Sequence, residues 1–130
     1  MPASAVLVET TILVDLLRGS DEAADYLDAV RSQQALICSA VTSAELIVGA
    51  RTRAELRAID QLLARFQIEP IVADDSVRSL NWLKKYYHTH GVGFHDCLLA
   101  AAAVRLRMPV VTLNEKHFKV LPGVKVIRPY

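Results

Sequence analysis

Five short apolar runs rich in β-branched residues punctuate the chain at 5–9 (AVLVE), 35–39 (ALICS), 68–72 (IEPIV), 109–113 (PVVTL) and 124–128 (VKVIR). Each has the length and composition of a buried strand. Between them, apolar residues recur at helical spacing. One helix is predicted over 11–18, stopped by Gly19, and the next over 21–33, with Ser20 as N-cap and Asp21 and Glu22 in the dipole-favoured first turn. Residues 42–66 predict two helices forming an arm, 74–90 a long helix closed by Gly91, and the stretch from Asp96 a strongly helical run before Pro109. Strands alternating with helices predict an α/β fold: a mostly parallel central sheet of about five strands flanked by helices in three layers, with residues 1–130 as a single domain.

Composition narrows the partners. Fifteen Lys and Arg against 14 Asp and Glu give a net charge of +1, so the chain has no global pull toward nucleic acid and any such site must be local. The apolar stretches are too short and too interrupted by charge to span a membrane, and "MPASAVLVE" lacks the features of a signal peptide, which predicts a cytoplasmic protein. Cys38 and Cys97 stand apart in apolar segments without zinc or redox spacing, and are expected as reduced core residues.

In parallel α/β sheets, ligands gather at the C-terminal ends of the strands. Glu9 ends the first predicted strand, Glu45 lies just after the second, Asp96 opens the helix before the fourth, and Asn114 and Glu115 follow the fourth. Singly, several have ordinary explanations. Thr42 and Glu45 match a capping box, Asp96 suits an N-cap, and Asp15 suits a paired or solvated helix acid. Glu9 is harder to explain away, because a carboxylate directly after "AVLV" is costly to desolvate without a partner. Together, carboxylates without a His or Cys cluster match a hard cation, Mg²⁺ or Mn²⁺, which also relieves their mutual repulsion.

"VETTILVDLLRG", "SAVTSAELIVGA", "FHDCLLAAAAVRLRMPVVTLNEKHF" and "VKVIRPY" occur in an order and spacing that resembles the PIN-domain ribonucleases, specifically the VapC-type toxins of toxin–antitoxin pairs. The resemblance implies a PIN-like fold and an acidic Mg²⁺ or Mn²⁺ site that activates water to hydrolyse RNA phosphodiester bonds. Glu9, Glu45 and Asp96 fall on its acidic positions as catalytic residues and metal ligands, Asn114 falls at or near the fourth ligand position with Glu115 beside it, and Thr10 and Thr112 match hydroxyl positions that line the site. Two positions depart from the family pattern: Glu9 stands where an aspartate is usual, and Asn114 where many members carry an acid. A second reading is therefore a catalytically impaired PIN-fold interaction module that binds antitoxin or RNA without cleaving. A phosphoacceptor receiver domain would need a paired acidic pocket, a phosphoacceptor aspartate and a later lysine, and that set is absent.

RNA needs positive charge, and Lys84, Lys85, Lys116 and His117 are the candidate contacts, with Lys119, His88, His90, Tyr86 and Tyr87 nearby in sequence. Trp82 and Phe94 are expected in packing, and a His95–Asp96 dyad is disfavoured because adjacent helical residues do not share a face. The resemblance implies a VapB-type antitoxin partner, and the arm at 42–66 carries surplus apolar residues (Leu46, Ile47, Leu56, Ile59, Leu62, Leu63, Phe66) for a groove. It also implies a homodimer. Val77, Leu80, Leu83 and Tyr87, together with the run "CLLAAAAVRL", apolar on more than one side, offer a two-fold surface.

Overall fold

The computed structural model describes residues 4–130. Its strands are β1 (Ala5–Val8), β2 (Ala35–Ser39), β3 (Gln67–Glu69), β4 (Val110–Val111) and β5 (Val126–Ile127). They form one sheet in the order β3-β2-β1-β4-β5, with all four pairings parallel. The predicted sheet is therefore present, with shorter strands. Pro70 follows β3, which stops at Glu69, since a proline cannot donate to the ladder.

Alternation along the strands builds two cores. Val6, Val8, Leu36, Cys38 and Val111 point to one face and pack with Ile12, Leu13, Leu27, Leu46, Ile59, Leu62 and Phe66. Leu7, Ile37 and Val110 point to the other, among Trp82, Cys97, Leu99, Ala100, Phe118 and Leu121. A sheet buried on both faces requires continuous apolar strands, which is the pattern the sequence carries. One cysteine lies in each core. Burial pushes both thiols up to about 11, so neither is a nucleophile at neutral pH.

The first face is covered by α1 (Thr10–Leu17), α2 (Asp21–Arg31), α3 (Ala40–Gly49) and α4 (Arg53–Leu63). Ser20 caps α2 as predicted, its Oγ accepting from the Ala23 amide at 3.2 Å. The arm starts earlier than expected. Ser39 rather than Thr42 caps α3, accepting from the Val41 amide, and this places Thr42 and Glu45 inside the helix. A related arrangement sits one helix later, where the N-cap Thr52 accepts from the Glu55 amide and Glu55 accepts from the amide of Arg51, the residue before the cap.

The second face is covered by α5 (Ala73–His90) and α6 (Phe94–Leu106), with α7 (Glu115–Lys119), which the pattern did not predict, following β4. Gly91 ends α5 in the left-handed conformation at φ 68°, where glycine carries no Cβ penalty. Residues Cys97 to Ala103 of α6 are all buried, between α5 and the sheet. The apolar circumference of α6 is thus satisfied within one chain and gives no reason for a second copy. Of the residues offered for a two-fold surface, Val77, Leu80 and Tyr87 on α5 are each at least half exposed. Arg105 fastens this layer, donating from Nε and Nη2 to the buried Asp75 and from Nη2 to Glu69. Among the described residues, no helix is long and apolar enough to cross a membrane.

Candidate active site

Because every strand is parallel, the residues after β1, β2 and β4 emerge on the same edge. Glu9 leaves β1 as the N-cap of α1, its amide held by the Val111 carbonyl at 2.9 Å. Its side chain is buried, and its Oε1 accepts two hydroxyl hydrogen bonds, from Thr11 at 2.6 Å and from Thr112 at 2.5 Å. Each hydroxyl has in turn accepted a backbone proton: Leu113 donates to Thr11, and Asn114 to Thr112. Two relays of the same kind therefore run from a loop amide through a threonine to one oxygen of Glu9. A hydroxyl has one proton, so accepting from an amide fixes it as a donor toward the carboxylate.

Glu45, on the exposed side of α3, accepts from the Thr10 hydroxyl at 2.8 Å, and Thr10 also lies 3.3 Å from the Thr42 hydroxyl. Glu45 is therefore turned toward the site instead of capping its own helix. Asp96 sits in the first turn of α6, which begins at Phe94 with Gly93 as N-cap. Its Oδ2 accepts from the Gly93 amide and lies 3.2 Å from His117 Nδ1. Asp96 does work as a helix-capping acid, from the third helical position rather than the cap.

His117 is the residue whose position the sequence did not disclose. Its Nδ1 lies 2.9 Å from Asn114 Nδ2 as well as 3.2 Å from Asp96 Oδ2. Carrying a proton, that nitrogen donates to Asp96. Bare, it accepts from Asn114. Only the protonated Nδ1 ties Asp96 to the helix after β4, and the position of His117 as the third residue past Asn114, on the same helical turn, is the sequence signal for its nearness to Asn114. His95, by contrast, is more than half exposed, with its Nε2 3.8 Å from Asp96 Oδ1.

The pieces meet around a cavity of about 460 Å³ lined by Glu9, Thr10, Thr11, Val14, Asp15, Arg18, Glu45, Leu113 and Asn114. Asp96 stands outside that lining, with His117 Nδ1 between it and Asn114. Among the described residues, no three His, Cys, Asp or Glu side chains are grouped closely enough to hold a metal as they stand. The donor chemistry nevertheless fits a hard divalent cation: Glu9, Glu45 and Asp96 offer carboxylate oxygens and Asn114 an amide, and neither thiolate nor imidazole is required. In each carboxylate one oxygen is held by a hydrogen bond, and the other accepts none among the described residues.

The PIN domain sequence family matches residues 6–123. Ribonuclease VapC10 of Mycobacterium tuberculosis is 36% identical over 121 residues, spanning 92% of this chain and 90% of the relative. This chain is a VapC-type member of the PIN-domain family. Ribonuclease VapC19 of the same species is 30% identical over 122 residues, 92% of this chain and 96% of the relative. Among solved structures, a toxin–antitoxin complex from Klebsiella pneumoniae superposes with a TM-score of 0.80 at 29% identity, covering 97% of this chain and 98% of the other.

Within this VapC-type domain, the other candidate residues sort by what they touch. Thr10 lines the cavity and donates to Glu45, Thr112 donates to Glu9 from outside the lining, and Thr11, which the sequence pattern did not single out, lines the cavity and also donates to Glu9. Glu115 is paired with Lys119 at 2.8 Å and lies 3.9 Å from Arg128; the hydrogen bond from Lys119 holds its carboxyl below the usual range. It is not part of the cavity lining. Lys84, Lys85 and Lys116 are exposed and also outside the lining, with Lys85 Nζ 5.7 Å from the Tyr86 ring. Trp82 packs as expected, whereas Phe94 is 40% exposed at the start of α6.

The relay geometry predicts an asymmetric mutational response at Thr112. Thr112→Val removes the donor to Glu9 and the acceptor of the Asn114 amide, and should lower unfolding free energy by about 1–3 kcal/mol. Thr112→Ser keeps both and should lose little beyond one methyl group. Denaturant unfolding of the two variants checks this; equal stability would show that the hydroxyl is not needed.

Proposed function

We propose that the chain is a toxin of the VapC type: an Mg²⁺- or Mn²⁺-dependent endoribonuclease acting in the cytoplasm, hydrolysing RNA phosphodiester bonds and neutralised by a cognate VapB-type antitoxin. The supporting observation is the arrangement of Glu9, Glu45 and Asp96, three acids from three separate elements at one sheet edge, each with one oxygen fixed by a neutral donor and one outside such bonds. The relationship to ribonucleases VapC10 and VapC19 makes RNA the substrate this reading assigns.

The divalent cation, when bound, lowers the pKa of a coordinated water and relieves charge on the phosphate. The chain's own residues do the rest. Glu9, Glu45 and Asp96 would hold the cation, with Asn114 as a neutral fourth donor. Thr11 and Thr112 fix the Glu9 carboxylate, Thr10 fixes Glu45, and His117 with the Gly93 amide fixes Asp96. Restricting each acid to one orientation before substrate arrives removes reorganisation from the chemical step.

The antitoxin is assigned to the neighbouring groove. A cavity of about 500 Å³ between α1, α3 and α4 is lined by the apolar Val14, Leu17, Leu46, Ala50 and Ile59 and by the charged Arg18, Glu45, Arg51 and Glu55, and Ile47, Val48 and Leu56 are exposed on α3 and α4. An apolar peptide with a basic side chain directed toward Glu45 suits that lining. Toxin–antitoxin complexes among the structural neighbours favour such a partner. The α5 stripe of Val77, Leu80 and Tyr87 is assigned to a homodimer.

The second reading, a PIN-fold binding module without cleavage, is favoured by one observation. The longer Glu9 side chain is bound to two threonine hydroxyls, and the acids form no closely grouped set of three. Cleavage of structured RNA with Mn²⁺ separates the two. The toxin reading expects cleavage by the wild-type chain, abolished by Glu45→Ala and by a stoichiometric antitoxin. Activity appearing only in Glu9→Asp would establish the second reading. Light scattering without antitoxin should give twice the chain mass, falling to one chain in Leu80→Asp; a monomer mass at micromolar concentration would remove the dimer.

A further inference from the structure

Among the described residues, Arg18 is the only cation lining the acidic cavity, and it also lines the groove assigned to the antitoxin, so it stands where the two meet. Three carboxylates, Glu9, Asp15 and Glu45, share the cavity with it. Its guanidinium nevertheless forms no salt bridge among the described residues. Asp15, three residues earlier on α1, is at the spacing where opposite helical charges usually pair.

Each acid instead holds a neutral partner. All three carboxylates are engaged by neutral hydroxyls: Glu9 by Thr11 and Thr112, Glu45 by Thr10, and Asp15 by Tyr130, whose hydroxyl donates to Asp15 Oδ2 at 2.9 Å. Tyr130 is anchored for this. Its ring packs on the first core, its carbonyl accepts from Arg128 Nε at 3.1 Å, and Arg128 also donates to the Leu113 carbonyl at 3.3 Å. Burial, then the Asp15 hydrogen bond, push the Tyr130 hydroxyl up to about 12, so it stays a proton donor at any working pH.

We propose that Arg18 takes a backbone phosphate of single-stranded RNA at the mouth of the acidic cavity, and that Tyr130 is a positioning residue which occupies Asp15 so that Arg18 stays unpaired. The inference rests on the ribonuclease reading above. A cavity of carboxylates repels a polyanion until a cation offsets it, and a guanidinium fork fits the two non-bridging oxygens of a phosphodiester. Exposed and unpaired, Arg18 meets that need without first breaking an ion pair.

Fluorescence anisotropy with a short labelled single-stranded RNA, across a salt series, tests both parts, with Mn²⁺ cleavage measured on the same preparations. Arg18→Ala should weaken binding about tenfold or more, raise KM more than it lowers kcat, and reduce the slope of log Kd against log salt by about 0.7 for the lost phosphate. A role limited to the helix C-terminal dipole would leave that slope unchanged. Arg18→Lys should restore the slope. Tyr130→Phe keeps the packing ring and should weaken binding about threefold in the wild type but not in Arg18→Ala; additive effects would remove Tyr130 from the scheme. Wild-type affinity and slope in Arg18→Ala, with wild-type cleavage intact, would overturn the proposal alone. So would an Arg18→Ala defect confined to antitoxin binding, which would assign the cation to the protein partner. A wild-type chain that neither binds nor cleaves RNA would overturn this proposal and the ribonuclease reading together.

Discussion

A carboxylate at the end of a buried strand must be solvated by protein, and much of this site's architecture follows from how Glu9 meets that demand. Two threonine hydroxyls supply it, one from α1 and one from the end of β4. They point correctly because each has accepted an amide proton from the loop that carries Leu113 and Asn114. The same bonds therefore orient an acid and pin the loop that starts α7, which brings His117 to Asp96. The acid and the loop cannot be placed independently, because they share the same two hydroxyl groups.

Around this centre the parallel sheet acts as a positioning frame. Val6, Leu7 and Val8 are wholly buried, so β1 has no freedom to slide, and the register Leu7–Val110 and Val8–Val111 fixes Glu9 beside Thr112. Glu45 and Asp96 arrive on helices whose N-termini lie at the same edge, the place where parallel folds accumulate ligands. Threonine hydroxyls hold Glu9 and Glu45, and the Gly93 amide holds Asp96, so neutral donors orient all three without neutralising them.

Much of this was legible in the sequence, and the rest was hidden for physical reasons. Ser20 and Gly91 declared helix boundaries because capping is a local interaction. The acids at strand ends were readable because a mostly parallel sheet follows from the alternation of elements, whereas the strand order β3-β2-β1-β4-β5 does not. The start of α3 was misplaced because Ser39 and Thr42 are both competent caps, and only the strand end decides between them. The apolar run of α6 suggested a second copy, but sequence does not show that α5 lies across it. The contacts of His117 with Asp96 and of Tyr130 with Asp15 were beyond reach: they span 21 and 115 residues, and no local periodicity encodes contacts at that separation.

The central claim is that Glu9, Glu45 and Asp96 act together on one hard cation. Isothermal titration of Mn²⁺ into the purified chain addresses it without requiring an RNA or an antitoxin. The account predicts saturable binding that weakens at least about tenfold in Glu45→Ala and again in Asp96→Ala, with thermal unfolding showing both variants folded. Unchanged Mn²⁺ affinity in both variants would contradict it.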